Sequence, residues 1–367
     1  MEHWRSLSRD ELEQQYSPSR WSFRMAADNV IRAHVEALAA GVSMCSGVFT
    51  AACVYTVFRS QRAGETRDVH VTYIRLCVCV GVLGTDKARS LSQTLLNVPY
   101  GESEGEKLDV YLPSTSSPDV PLLIYFHGGY WQFLSKEESG FLAVPLVQKG
   151  VVVVAVGYSI APKAASVAES GHREVVLLTQ ALWVLLYCMQ QRLHGNMDLM
   201  VSQVRRSVVS VIQQYSHISG LYLCGHSAGA HLAAMVLSTD WSQYNVSPQI
   251  KGAFLVSGIY DLQPILNTYV NEPLQMNQEV ALRNSPNQFL SQLKVSSPYC
   301  DITVAVAQHD SPEFRKQSLE YFIALQSAGL RVSYEDVPDT DHFNIIEQLV
   351  DETYHLTKLL LKMMGKS

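Results

Sequence analysis

The sequence predicts an α/β protein: a mostly parallel central sheet with helices on both faces. From about Leu96 onward, short apolar runs alternate with helix-compatible stretches, the rhythm of successive strand–crossover–strand units. A second indication is GLYLCGHSAG at 220–229, where an apolar run ends on a serine held between glycines and a helical pattern follows at once.

Six strands are expected. VPLLIYFHGG (120–129) is an apolar run closing on glycines, which suits a strand buried on both faces. GVVVVAVGYSIAP (150–162) is β-branched until Gly157 and Pro162 stop it. GLYLCGHSAG, IKGAFLVSGIYD (250–261), DITVAVAQHD (301–310) and RVSYEDVPDTDHF (331–343) complete the set. Between and after them, 229–237, 311–328 and 343–364 read as helices. No internal repeat of fixed period is present.

Bulk properties narrow the function classes. Hydrophobic residues make up 47% of the 367 and charged residues only 17%, enough for a sizeable core. A net charge of −6 leaves no basic face for nucleic acid. The opening, MEHWRSLSRDELEQQYSPSRW, lacks an apolar signal-peptide core, so a soluble intracellular protein is expected. Seven cysteines, an odd number, suit reduced thiols better than a disulfide framework. Cys77 and Cys79 read as buried thiols on a strand, because no second ligand pair follows for a metal. Asn245-Val246-Ser247 matches a glycosylation acceptor that stays idle without a secretion route.

Two segments break the α/β rhythm, 40–90 and 166–195; both read as insertions within one domain spanning 1–367. The uncharged run at 42–58 falls short of the roughly 20 apolar residues that cross a bilayer, so no membrane anchor is expected.

Gly225-His226-Ser227-Ala228-Gly229 is G-x-S-x-G, the nucleophile elbow of the α/β-hydrolase fold. Glycine and serine also form ordinary turns; here the strand-like LYLC before and the helical AHLAAMVLS after supply the required context. So tight a turn excludes bulky neighbours, and it lifts Ser227 Oγ to the positive end of the following helix. There the Ala228 N–H can hold an oxyanion. Upstream, His127-Gly128-Gly129-Tyr130-Trp131 leaves a strand on paired glycines, whose amides can complete that oxyanion hole. His127 reads as a histidine bracing this loop.

A serine hydroxyl needs a base, and the base needs an acid to fix its tautomer. In this fold the chain order is Ser, then Asp or Glu, then His. His231 falls one turn along the elbow helix and reads as packing, while His355 falls in the last helical pattern and reads as solvated. His342, in the loop composition PDTDHFN, is the expected base. Asp310 closes a strand and is the expected acid, with His309 structural. Asp301 begins its strand, the wrong end of a parallel sheet. Asp339 and Asp341 are too near His342 in sequence and read as loop carboxylates.

Taken in order, HGGYW, GHSAGAHLAA, DSPEF and DHFN closely resemble the kynurenine formamidase (arylformamidase) family. LSRDELEQQYSPSRW (7–21) and VPYGESEGEKLDVYLP (98–113) share the resemblance, which runs to about Arg32 and again from about Leu95, interrupted at 166–195. HGG-x-W is its more specific part, because related carboxylesterases and lipases usually carry a third glycine where Tyr130 stands. The resemblance implies a Ser227–Asp310–His342 triad, oxyanion donors at Gly128, Gly129 and Ala228, and Trp131 near an aromatic substrate. It further implies hydrolysis of N-formyl-L-kynurenine to kynurenine and formate in tryptophan breakdown, with no metal or cofactor. A homodimer in the cytoplasm, and also in the nucleus, is the expected setting. Two alternatives stay open: a general small-acyl carboxylesterase, or an impaired isoform whose insertions leave only a binding role.

Overall fold

The computed structural model describes residues 3–22, 81–114, 120–161 and 196–366. Most of the 40–90 insertion, the run at 42–58, Cys77 and Cys79, and all of 166–195 lie outside the described residues. The end of the first insertion is helical over 81–91. No helix among the described residues is long and apolar enough to cross a membrane.

Eight strands form one sheet: β1 (Gln93–Pro99), β2 (Lys107–Leu112), β3 (Val120–Phe126), β4 (Val152–Val156), β5 (Ile218–His226), β6 (Ile250–Val256), β7 (Asp301–Ala307) and β8 (Arg331–Val337). Their order across the sheet is β1-β2-β4-β3-β5-β6-β7-β8. β1 and β2 pair antiparallel with each other, and β2 pairs antiparallel with β4. Every later pairing is parallel. The six expected strands are all present as β3 to β8.

Central strands β3, β4, β5 and β7 are buried nearly end to end. That follows from their continuous apolar sequences, which only a sheet covered on both faces can hide. One cluster, including Leu122, Ile124, Leu223 and Leu255, packs against helices Met197–Gln214 and Ala228–Leu237. The opposite cluster, including Leu123, Val153, Phe254 and Leu360, packs against helices Ala143–Gln148 and His355–Met363. Strand β8 is an edge and keeps polar residues exposed.

Parts of the fold differ from expectation. β1 and β2 carry no clean apolar run, and β1 is bulged at Asn97, which takes φ 57° and gives its N–H to Asp109 Oδ1 at 2.8 Å. The expected helix 343–364 is broken into Asn344–Glu347, a 3-10 turn Gln348–Val350 and His355–Met363. Asp351 interrupts it by accepting the Thr353 N–H and hydroxyl, a local turn that competes with the helix.

Candidate active site

The C-terminal ends of β3, β5, β6, β7 and β8 converge, and the loops leaving them carry the chemistry. Ser227 follows β5 directly and takes φ 55° and ψ −120°, a region costly for a side chain. The turn is held by its own amide, which donates to Val256 O at the end of β6 at 2.9 Å. Glycine is required on either side. A Cβ on Gly225 would sit 2.2 Å from Gly229 O, and one on Gly229 would sit 2.0 Å from Phe126 O. Ala228 begins the helix Ala228–Leu237, so its amide is among those without an intrahelical partner.

The loop after β3 approaches from the side. A Cβ added to Gly128 would lie 2.9 Å from the main-chain oxygen of His226 and 3.3 Å from Ser227 Cβ, so a glycine is what lets this backbone come so near. Gly129 takes φ 97° and accepts the amides of Gln132 and Phe133, both at 2.9 Å. Among the described residues no acceptor takes the amides of Gly128 and Gly129. They, with Ala228, are the donors available to an oxyanion here.

Tyr130 and Trp131 both have positive φ, 49° and 58°, and diverge. Tyr130 lines the cleft and donates its hydroxyl to Tyr16 O at 2.9 Å. Trp131 is fully buried instead, its indole N–H donating to His231 Nδ1 at 3.2 Å; His231 Nε2 in turn donates to Asn284 O at 2.7 Å. Expected beside an aromatic substrate, Trp131 does not line the cleft: its indole fastens the glycine loop to the elbow helix, while Tyr130 is among the aromatic residues that line it. His127 braces the loop, stacked on Tyr158 with ring centroids 4.2 Å apart. Burial pushes His127 and His231 down to about 4, so both are neutral near pH 7.

His342, in the loop after β8, donates Nδ1–H to Asp310 Oδ1 at 2.6 Å. Asp310 lies just past β7, and both groups are buried. The other carboxylate oxygen accepts the Ser257 hydroxyl at 2.5 Å and the Ala307 amide at 3.0 Å. With Nδ1–H committed to Asp310, the His342 Nε2 lone pair is left free to accept a proton. Ser227 and His342 line one cleft. Apolar residues such as Leu134, Phe141, Phe343 and Ile346 wall it, which suits an aromatic small molecule.

Three contributors were not read from the sequence. Ser257 holds the acid, and His226 donates Nε2–H to the backbone carbonyl of His342 at 2.7 Å. Asp341, expected as a plain loop carboxylate, is fully buried. It caps the turn after His342 by accepting the amides of Phe343 and Asn344, at 3.0 and 2.9 Å, and it accepts the Ser22 hydroxyl. His355 is exposed beside Glu335, as its sequence position suggested.

The family model of the α/β-hydrolase fold matches residues 123–345, more than half of the chain, so the chain belongs to that family. Esterase B from Lactobacillus rhamnosis shares the fold at a TM-score of 0.57 and 13% identity, covering 80% of this chain and 93% of that one. Within the class the match narrows. The chain is 67% identical over 367 residues to a kynurenine formamidase of Danio rerio, and 62% identical over 368 residues to one of Salmo salar. Each alignment covers 100% of both chains. This chain belongs to the kynurenine formamidase family.

Proposed function

We propose that this chain is a serine hydrolase that cleaves N-formyl-L-kynurenine to L-kynurenine and formate. The observation that carries the reading is Ser227 on a strained elbow facing the same cleft as an imidazole already oriented by Asp310. The relatives' name, at 67% and 62% identity, supports the substrate.

Ser227 Oγ attacks the formyl carbon while His342 Nε2 takes the hydroxyl proton. The carbonyl oxygen becomes an oxyanion held by the Gly128, Gly129 and Ala228 amides, donors fixed in place before reaction. As the tetrahedral centre collapses, the C–N bond breaks and His342 returns its proton to the departing aryl nitrogen, releasing kynurenine. Water then attacks the formyl-serine with His342 again as base; formate leaves and the Ser227 hydroxyl is restored. Asp310 stabilises the imidazolium in both halves without itself taking the proton. A homodimer in cytoplasm and nucleus belongs to the same reading and is supported by the family resemblance alone.

The triad serves amides and esters alike, so substrate preference tests the proposal. kcat/KM on N-formyl-L-kynurenine should exceed that on p-nitrophenyl acetate, and p-nitrophenyl esters should decline as the acyl chain lengthens. An enzyme that favours longer acyl esters over the formamide would be a general carboxylesterase instead.

A further inference from the structure

We infer that His226, the residue directly before the nucleophile, is a positioning residue that ties the base loop to the nucleophile elbow. The inference rests on the Ser227–Asp310–His342 reading above and goes beyond it. His226 Nε2 lies 2.7 Å from the backbone carbonyl oxygen of His342. A carbonyl can only accept, so the nitrogen must donate, and His226 is fixed as the Nε2–H tautomer. The two rings are tilted 48° to each other, 4.8 Å apart between centroids. On its other side His226 is pressed by the oxyanion loop: a Cβ on Gly128 would meet His226 O at 2.9 Å and Nδ1 at 3.1 Å.

One residue therefore joins all three parts that must stay in register. It is covalently joined to Ser227, bonded to the main chain of His342, and packed against Gly128. His342 has a second anchor through Asp310, but that bond fixes where the ring points along one axis. The carbonyl bond fixes the backbone from which the ring hangs, and Phe314 closes the remaining side at 4.6 Å. Burial, then the neighbouring His342, hold His226 well below its ordinary range. It thus stays uncharged beside a ring that becomes cationic in each half of the reaction. A charged group at this position would oppose that cation; a neutral donor supports the geometry without this cost.

The test compares His226→Gln, whose side-chain amide nitrogen reaches the Nε2 position, with His226→Asn, whose amide stops one bond short. His226→Gln should keep kcat within a few-fold of wild type, while His226→Asn loses about 10- to 100-fold in kcat with KM little changed, the size expected when a reacting group is misplaced by about 1 Å. Equal losses in the two variants, or no loss in either, would overturn the role. Nitrogen-15 shifts of histidine-labelled wild-type protein give a check independent of any variant's folding. They should report one neutral Nε2–H ring for His226 from pH 8 to pH 5; an Nδ1–H or cationic ring there also overturns it. Wild-type turnover that does not depend on Ser227 would instead sink the underlying hydrolase reading, so the two failures are distinguishable.

Discussion

Asp310 is the residue whose partners are most completely defined. One oxygen serves His342; the other is saturated by Ser257 and the Ala307 amide. Asp310→Asn presents an amide that can favour the wrong imidazole tautomer, in which Nε2 carries the proton and cannot take one from Ser227. Formamidase kcat should fall by about 10⁴-fold, the loss known for the equivalent change in a serine protease, while the fold persists. Near-wild-type kcat in the purified variant would contradict the assignment. The sequence made Ser227, Asp310 and His342 legible because chain order and motif restrict where such groups stand. Ser257 and His226 were not legible: their partners are 53 and 116 residues away, and nothing local in SGI or GHS announces them.

Among the elements, the crossing of β3 and the elbow helix leaves the least room. Gly229 is so close to the end of β3 that a Cβ would meet Phe126 O at 2.0 Å and His127 O at 2.6 Å, both main-chain atoms with no rotamer to yield. Gly229→Ala should cost at least about 3 kcal/mol, at the upper end for overpacked sites, and should displace the oxyanion loop that begins there. Urea unfolding measures the first effect and formamidase kcat the second; wild-type values in both would show the contact to be softer than argued. At this scale the buried strands were readable because a sheet covered on both faces demands continuous apolar runs. β1 was not, since an exposed edge with a bulge at Asn97 has no such demand to meet, and β2 was not, since the buried Asp109 interrupts its apolar run. The C-terminal break at Asp351 was also hidden, because the apolar spacing continues across it.

Across the whole molecule, the N-terminal segment acts as a strap over the site. Tyr16 O accepts from Tyr130, Tyr16 Oη accepts from Gln317 Nε2 at 2.8 Å, Ser22 donates to Asp341, and Pro18 lines the cleft. The motif-based reading placed the site wholly after residue 120 and did not foresee this. Proton linkage also belongs to this scale. His127 and His231 titrate at about 4 when folded against an ordinary 6.5, and His226 is likewise depressed. Below 6.5 the unfolded chain binds protons that the native chain refuses, so their contribution is fully present above pH 6.5 and is lost as pH falls toward 4. Each group adds a slope of up to about 1.4 kcal/mol per pH unit inside that window. Calorimetry from pH 7 to pH 4 should show Tm falling steadily; a flat or rising Tm would mean these rings are not buried neutral.

The most direct test is whether Ser227 is the atom attacked through. Fluorophosphonate should label the folded protein once, with the adduct on the peptide carrying Ser227. Ser227→Ala should lose the label and at least about 10⁴-fold of kcat on N-formyl-L-kynurenine, with an unchanged melting temperature. Labelling at another residue, or substantial formamidase turnover by Ser227→Ala, would contradict it.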